Sequence, residues 1–366
     1  SGFSGFALFV EEEPVSVFDH NEFNNHEDVV FCHDRETGLR AIIAIHDTTL
    51  GPALGGLRMW PYASDDEALT DVLRLSRGMT YKAAMAGLNL GGGKAVIIGN
   101  PRTDKTPALL KSFGHYVEQL GGQYITAEDV GTSVADLEEV ATVTDHVAGV
   151  TSLSGDPSPA TAWGVFQGIR AAATHRLQSD SLEGVRVAVQ GVGHVGHYLC
   201  QYLSDAGAVL TVADIDAKAA GHLADKLGAK VVHPADIYGT NVDVFAPCAM
   251  GAVINDETLP VLKSSIIAGS ANNQLAQPHH GEALAAQNIL YAPDYVINAG
   301  GIINISHERP TYNKKTAYAH IEEMHGTLLD LFRKADKANT TPEKMADQMA
   351  EARIQEARQH ARPAAA

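Results

Sequence analysis

VRVAVQGVGHVG, residues 185–196, decides the architecture of half the chain. Its first six residues, rich in valine, read as a strand, and Gly191, Gly193 and Gly196 separate that strand from a helical run, VGHYLCQYLSDAG. The first glycine suits a tight turn, the second lets backbone approach a pyrophosphate, and the third packs the helix on the strand. A dinucleotide pyrophosphate would rest at the helix N-terminus, where unpaired N–H groups and the helix dipole attract an anion. Asp214, at the end of the next strand-like run, TVADID, is placed to accept both ribose hydroxyls and to repel a 2′-phosphate. That selects NAD over NADP. Asp216 competes for the same role from one turn further on, and a glycine-rich turn needed only for packing is the alternative to the whole motif.

Working outward, strands are expected at 209–213, 231–232, 242–246, 265–268 and 295–298, with helices after Gly196 and from about Ala217. Strand–helix alternation of this kind predicts a parallel, doubly wound α/β sheet of Rossmann type. Upstream, TSLSGDPSP at 151–159 reads as a domain edge. The first third mixes its elements, with strands at 29–32, 41–46 and 94–98. Ser64 and Glu67 form a capping box for a helix with Leu69, Val72, Leu73 and Leu75 at helical spacing, and that helix carries Met79 and Lys82 near its end. Thr106-Pro107 starts another helix, which Gly121-Gly122 stops. Thr341-Pro342 starts a last one, with Met345, Met349 and Ile354 on one face. The expected division is a substrate and oligomerisation domain with a mixed sheet at 1–147 and a dinucleotide domain at 148–325. C-terminal helices at 326–366 then pack back across the hinge.

Bulk properties narrow the function. With 45% hydrophobic and 19% charged residues in 366, the chain is globular and long enough for two domains. A formal net charge of −17 argues against a nucleic-acid partner, which needs clustered Lys and Arg. The three cysteines, Cys32, Cys200 and Cys248, fit neither metal spacing nor a disulfide framework, so a reducing cytoplasm is expected. No apolar run is long enough to span a membrane, and SGFSGFALFVEEE lacks the basic start of a secretion signal.

A second region, GLNLGGGK at 87–94, follows Lys82 in MTYKAAMAG. It is no phosphate loop, because the spacing is wrong and Ala95 stands where a Mg²⁺-binding hydroxyl would be. It sets Lys94 on a triple-glycine turn before a strand. Two lysines in one cleft would repel each other and be desolvated, and both effects lower a lysine pKa toward general-base strength. The plain alternative for each is a solvated surface charge. Asp129, in TAEDVGT, follows the strand-like QYIT and so falls where active-site groups collect. It competes with an N-cap role for the helix beginning near Ser133, and Glu128 beside it is equally acidic.

LGPALGGLRMWPY (from Leu50), SRGMTYKAAMAGLNLGGGKAVI (from Ser76), YITAEDVGT (from Tyr124), APCAMGAVIN (from Ala246), IAGSANNQL (from Ile267) and YVINAGGIIN (from Tyr295) together resemble the glutamate/leucine/phenylalanine/valine dehydrogenase family. The likeness runs from about Glu27 to Arg358 and is greatest to its leucine-oxidising members. It implies hydride transfer from the substrate Cα to NAD, then hydrolysis of the iminium to a 2-oxo acid and ammonia. Lys82 matches the lysine that pairs with the α-carboxylate, Lys94 the lysine that activates water, and Asp129 the carboxylate that moves protons at the substrate nitrogen. Asn273 matches a residue near nicotinamide and substrate, and Thr161 one near the carboxamide. His194 departs from the family's usual asparagine. The resemblance also implies cleft closure and a homo-oligomer, octameric in the leucine-specific members.

Pocket positions carried over in the same way are Leu54, Gly55, Met79, Ala127, Ile302 and Ile305. Leu54 stands where glutamate-using relatives have a lysine, so glutamate is excluded: its γ-carboxylate would be buried unpaired. A branched-chain L-amino acid is the expected substrate and phenylalanine the second choice. A 2-hydroxy-acid dehydrogenase and a non-enzymatic NAD-binding sensor are the rival classes. Of the 17 histidines none forms a metal motif, and His279-His280 reads as a solvated pair in a polar loop. Cys248 reads as a small buried residue beside the cofactor, and Trp60 and Tyr62 as packing.

Overall fold

The computed structural model describes residues 16–150, 155–308 and 312–361. The acidic N-terminal run, positions 151–154 of the domain-edge stretch and the Pro-Ala tail lie outside the described residues.

In the N-terminal sheet the side-chain alternation of a strand assigns each face its helix. The strands are β1 (Asp28–Asp34), β2 (Leu39–Asp47), β3 (Ala53–Trp60), β4 (Gly91–Ile98) and β5 (Tyr124–Glu128). On β2, Ile42 and Ala44 pack with Leu69, Val72 and Leu73 of α1 (Asp65–Met85). Ile43 and Ile45 face the other way, onto Leu109, Leu110 and Phe113 of α2 (Pro107–Gln119). The order is β1-β2-β4-β3-β5, antiparallel at β1/β2 and β2/β4 and parallel at β4/β3 and β3/β5. This is the mixed sheet expected. α3 (Val134–Ala141) follows β5 and is capped by a reciprocal Ser133–Asp136 box.

The triple glycine is not a turn: all three residues lie inside β4. A Cβ on Gly92 would fall 2.0 Å from the Thr80 nitrogen of α1, so the bare backbone lets helix and strand approach closely. That approach brings the helix bearing Lys82 against the strand bearing Lys94.

The second sheet holds β6 (Arg186–Gln190), β7 (Val209–Ala213), β8 (Lys230–Val231), β9 (Val244–Pro247), β10 (Ile266–Ile267) and β11 (Leu290–Tyr291), all parallel, in the order β11-β10-β9-β6-β7-β8. Numbered from its own first strand, this is the order 3-2-1-4-5-6 of a dinucleotide-binding sheet, whose crevice opens where the order reverses, between β6 and β9. Covering helices are α4 (Ser158–Arg176), α5 (His194–Asp205), α6 (Ala217–Leu227) and α7 (His279–Ala286). α4 begins inside the stretch read as a domain edge.

Of residues 295–298, expected as a strand, the first three lie in the short helix α8 (Asp294–Ile297) and Asn298 caps its end. Asp294 overrides the β-branched propensity of Val296 and Ile297. Its Oδ1 accepts Tyr295 N–H at 2.6 Å and its Oδ2 accepts Gln274 N–H at 2.9 Å, which fixes a helical start after Pro293. Then come α9 (Gly300–Ser306), α10 (Lys314–Glu322), α11 (Met324–Ala338) and α12 (Pro342–Ala361). α12 lies against both halves. Arg353 donates to the carbonyls of Ala83, Ala84 and Leu88 at the end of α1, while Asp347 accepts the Tyr295 hydroxyl at 2.7 Å. No helix among the described residues is long and apolar enough to cross a membrane.

Candidate active site

Three chain segments meet around Lys94. It enters from β4, buried with 6% exposure, and its ammonium donates to Asp129 Oδ2 just beyond the end of β5. Burial lowers the Lys94 pKa and the Asp129 carboxylate opposes that fall. Burial pushes Asp129 up, yet Lys94 and then Arg58 outweigh it and hold the carboxyl below its ordinary range. Asp129 caps no helix, since that work falls to Ser133. Its own N–H is fixed by the Thr132 hydroxyl at 3.0 Å. Glu128, the sequence competitor, is largely exposed, and partial desolvation of its carboxyl, followed by the charges of Asp156 and Asp129, raises its pKa. The structure thus favours Asp129. Lys82 comes from the last turn of α1 with a pKa lowered to about 8, mainly by desolvation, with Asp294 opposing and Lys94 adding to the fall. Two cations and one anion at this spacing form a unit able to bind a carboxylate and exchange a proton.

Beside this centre a cavity of about 350 Å³ runs between the two halves, with Leu54, Leu88, Leu90 and Ile125 on one side and Ile305 and His307 on the other. Leu54 pairs in register with Gly92 on β4 and with Ile125 on β5, so the apolar wall begins two residues from Lys94. Of the six pocket positions, Leu54 and Ile305 line this cavity. Gly55, Met79, Ala127 and Ile302 do not, although Met79 shares α1 with Lys82 and Ile302 packs against the apolar cluster that holds Leu88.

The fingerprint glycines occupy the β6–α5 crossover. Gly191 has φ +92° and is backed by Ala249, and a Cβ on Gly196 would lie 2.0 Å from the Gly191 carbonyl oxygen. A Cβ on Gly193 would meet nothing within 4 Å, so the N-cap of α5 opens outward, a cradle that fits an approaching pyrophosphate. Asp214 Oδ2 accepts Val192 N–H and its Oδ1 accepts Asp216 N–H, both at 2.8 Å, holding the carboxylate against the glycine loop. Asp216 is engaged otherwise: Oδ1 takes the Lys218 and Ala219 N–H groups at 3.0 and 3.2 Å and caps α6. Asn273 sits at φ +50° in the loop after β10, one residue before the Gln274 N–H that Asp294 holds. Thr161, on α4, donates to the Pro157 carbonyl at 3.0 Å and lies beside Gly301.

Sequence reasoning missed Arg58, Asp71 and Asp294. The first two meet across β3 and α1, a pairing that no local period marks, and Asp294 stands one residue before the run expected as a strand, where nothing local marks it. The solvated reading of His280 is corrected. It is 2% exposed at the start of α7, where Nδ1 accepts Gln277 N–H at 3.0 Å and Nε2 faces Asp256 at 3.1 Å. With Nδ1 taken by a backbone donor, Nε2 carries the ring proton, so the His280 contact to Asp256 is a structural hydrogen bond. Cys248 lies by Gly196 at the crossover, its thiol pushed up by burial.

Residues 26–146 match the family model described as Glu/Leu/Phe/Val dehydrogenase, dimerisation domain. Residues 154–229 and 217–362 match glutamate/leucine/phenylalanine/valine dehydrogenase. The chain is 53% identical over 352 residues to a leucine dehydrogenase of Geobacillus stearothermophilus, covering 95% of this chain and 96% of that one. It is 45% identical to a phenylalanine dehydrogenase of Caldalkalibacillus thermarum, covering 93% and 94%. The crystal structure of L-tryptophan dehydrogenase from Nostoc punctiforme superposes with a TM-score of 0.84 at 46% identity, over 92% of this chain and 97% of that one.

Proposed function

The chain belongs to the glutamate/leucine/phenylalanine/valine dehydrogenase family, and from that premise we propose that it oxidatively deaminates leucine and other branched-chain L-amino acids with NAD. The observation that carries this reading is the buried Lys94–Asp129 ion pair, one strand away from the Leu54 that lines an apolar cavity, with Lys82 close enough to be felt by both. Lys82 holds the α-carboxylate, and Leu54 and Ile305 receive the aliphatic side chain. A bound nicotinamide supplies the acceptor for the Cα hydride. For the hydrolysis that follows, the ion pair shifts its shared proton from Lys94 to Asp129. Neutral Lys94 then takes a proton from water as the oxygen bonds to the imino carbon. Asp129 returns its proton to the nitrogen, then accepts the hydroxyl proton as the carbonyl forms and the C–N bond breaks, which releases ammonia and the 2-oxo acid. Burial of the pair supports such an exchange by bringing the two protonation states closer in energy.

Gly191, Gly193 and Gly196 are assigned to the pyrophosphate, Asp214 to the ribose hydroxyls, Thr161 to the carboxamide and Asn273 to the region between nicotinamide and substrate. Gly55, Met79, Ala127 and Ile302 are kept as neighbours of the bound amino acid. The substrate unit is assigned to 1–147, the dinucleotide unit to 148–325 and the C-terminal helices to 326–366, a division supported by the contacts of α12 with both halves. Exposed Phe31 on edge strand β1 supports self-association through the dimerisation domain, an octamer in the full assembly. Light scattering checks that number. Cys32, Cys200 and Cys248 are free thiols, which supports a cytoplasmic location.

NADH formation from a panel of L-amino acids tests the reading. Leucine, valine and isoleucine should be oxidised, and glutamate and 2-hydroxy acids should not; silence across the panel would sink it. Asp214→Ala should reduce the NAD/NADP preference in kcat/KM about tenfold or more, consistent with loss of a charged hydrogen-bond partner. An unchanged ratio would remove Asp214 from the cofactor site. Leu54→Lys should cost roughly 10²-fold in kcat/KM on leucine, because an ammonium without a partner then faces the isobutyl group. Retained leucine activity would place the side chain elsewhere.

A further inference from the structure

Asp129 is held by more than Lys94. Arg58 Nε, from β3, lies 3.3 Å from Asp129 Oδ2, the same oxygen that receives the Lys94 ammonium. The contact is an ion pair rather than an aligned hydrogen bond, for the buried Nε–H makes none. Arg58 is itself anchored: Nη1 donates to Asp71 Oδ2 on α1 at 2.7 Å, and the Tyr62 hydroxyl donates to that oxygen at 2.8 Å. The Arg58 and Asp71 side chains are 20% and 14% exposed, which separates this pairing from loose surface pairs of little worth. Two strands, β4 and β3, thereby converge on one carboxylate oxygen, and α1 backs the second of them through Asp71.

We propose that Arg58, anchored by Asp71 and Tyr62, is a positioning residue that fixes Asp129 through Oδ2 and leaves Oδ1 to serve the substrate nitrogen. The proposal rests on the dehydrogenase reading of the site. Two cations on one oxygen orient the carboxylate plane, as a single flexible lysine does not, and proton transfer depends on that orientation. The charged groups around Asp129 are Lys94 on β4, Arg58 on β3, Lys82 on α1, neighbouring Glu128, and Asp71 behind Arg58; Tyr62 and Tyr124 face it as neutral phenols. Removing Arg58 deletes a cation, so Asp129 holds its proton to higher pH, and Lys94, relieved of a like charge, does the same.

Both shifts have one sign. In full-length R58Q the acidic limb of the kcat profile for leucine oxidation should move to higher pH by about one unit, at the low end of what a lost neighbouring charge produces. At the parent's optimum, kcat should fall roughly ten- to hundredfold with the leucine KM changed less than threefold. R58K, which restores the charge without the fork, should return the limb toward the parent's position. An R58Q profile superimposable on the parent's, or a change confined to KM, overturns the proposal. Should R58Q not fold, D71N carries the test: every cation stays while Arg58 loses its anchor, and a kcat within twofold of the parent overturns it. A parent silent on all amino acids overturns the dehydrogenase reading as well, whereas an active parent with an unmoved R58Q profile overturns this proposal alone.

Discussion

Lys94→Ala is expected to lower kcat for leucine oxidation by about 10²–10⁴ while NADH still binds as tightly as to the parent. Both parts follow from location. Lys94 is buried on β4 with its ammonium on Asp129, whereas the glycine crossover and Asp214 belong to the other sheet. Loss of the lysine leaves Asp129 with Arg58 as its remaining direct ion-pair partner, so the carboxylate stays in place but has no neighbour to exchange its proton with. Fluorescence titration of NADH separates the two effects. Near-normal turnover with intact binding would remove Lys94 from the chemistry, and loss of NADH binding would show that the substitution damages the fold. Slow turnover in the variant should also lose its dependence on a group of depressed pKa.

The second large effect is expected for Lys82→Met, where roughly 10²–10³ in kcat/KM should be lost, chiefly through KM, since the substrate α-carboxylate would be buried with its cation gone. Lys82 differs from Lys94 in having no direct ion-pair partner among the described residues, and the carboxylate that acts on it most strongly is Asp294. Its pKa of about 8 gives the affinity a pH dependence of definite sign. Below that value the ammonium attracts a carboxylate; above it the free protein presents a neutral amine. The KM for the 2-oxo acid in the reverse reaction should therefore rise as pH increases through the range just above 8. A KM flat from pH 7 to 9.5 would mean that the carboxylate is held by something else.

The dinucleotide half was legible because its fingerprint imposes position on backbone. A strand must end before Gly191 and a helix must start after Gly193, and both do. The Ser64 cap and the Pro107 start are legible for the same local reason, although the Glu67 carboxylate accepts the Ala63 N–H and does not close the box on Ser64. β3 escaped notice because Gly55-Gly56 lies at its middle and glycine weakens a strand signal. The structure needs the bare backbone there, since a Cβ on Gly55 would fall 1.7 Å from the Gly93 carbonyl oxygen. The 295–298 error has the opposite origin: Tyr-Val-Ile has strand propensity, but Asp294 and the Gln274 loop are brought together only by tertiary folding. Arg58 and Asp71 belong to the same class. Neither spacing nor composition reveals that a strand arginine and a helix aspartate thirteen positions apart stand behind Asp129.

The grip of Arg353 on the end of α1 has a consequence for the birth of the molecule. Its carbonyl partners at Ala83 and Ala84 precede it by 270 and 269 residues, and they flank the turn just beyond Lys82. At ordinary elongation rates a ribosome needs roughly a quarter of a minute to a minute to travel that distance. Throughout that interval the first sheet can fold with Lys82 in place but with the end of its helix unclamped. A polypeptide abandoned midway would therefore carry Lys82 and Lys94 on a first sheet whose neighbouring helix still lacks the clamp that Arg353 supplies.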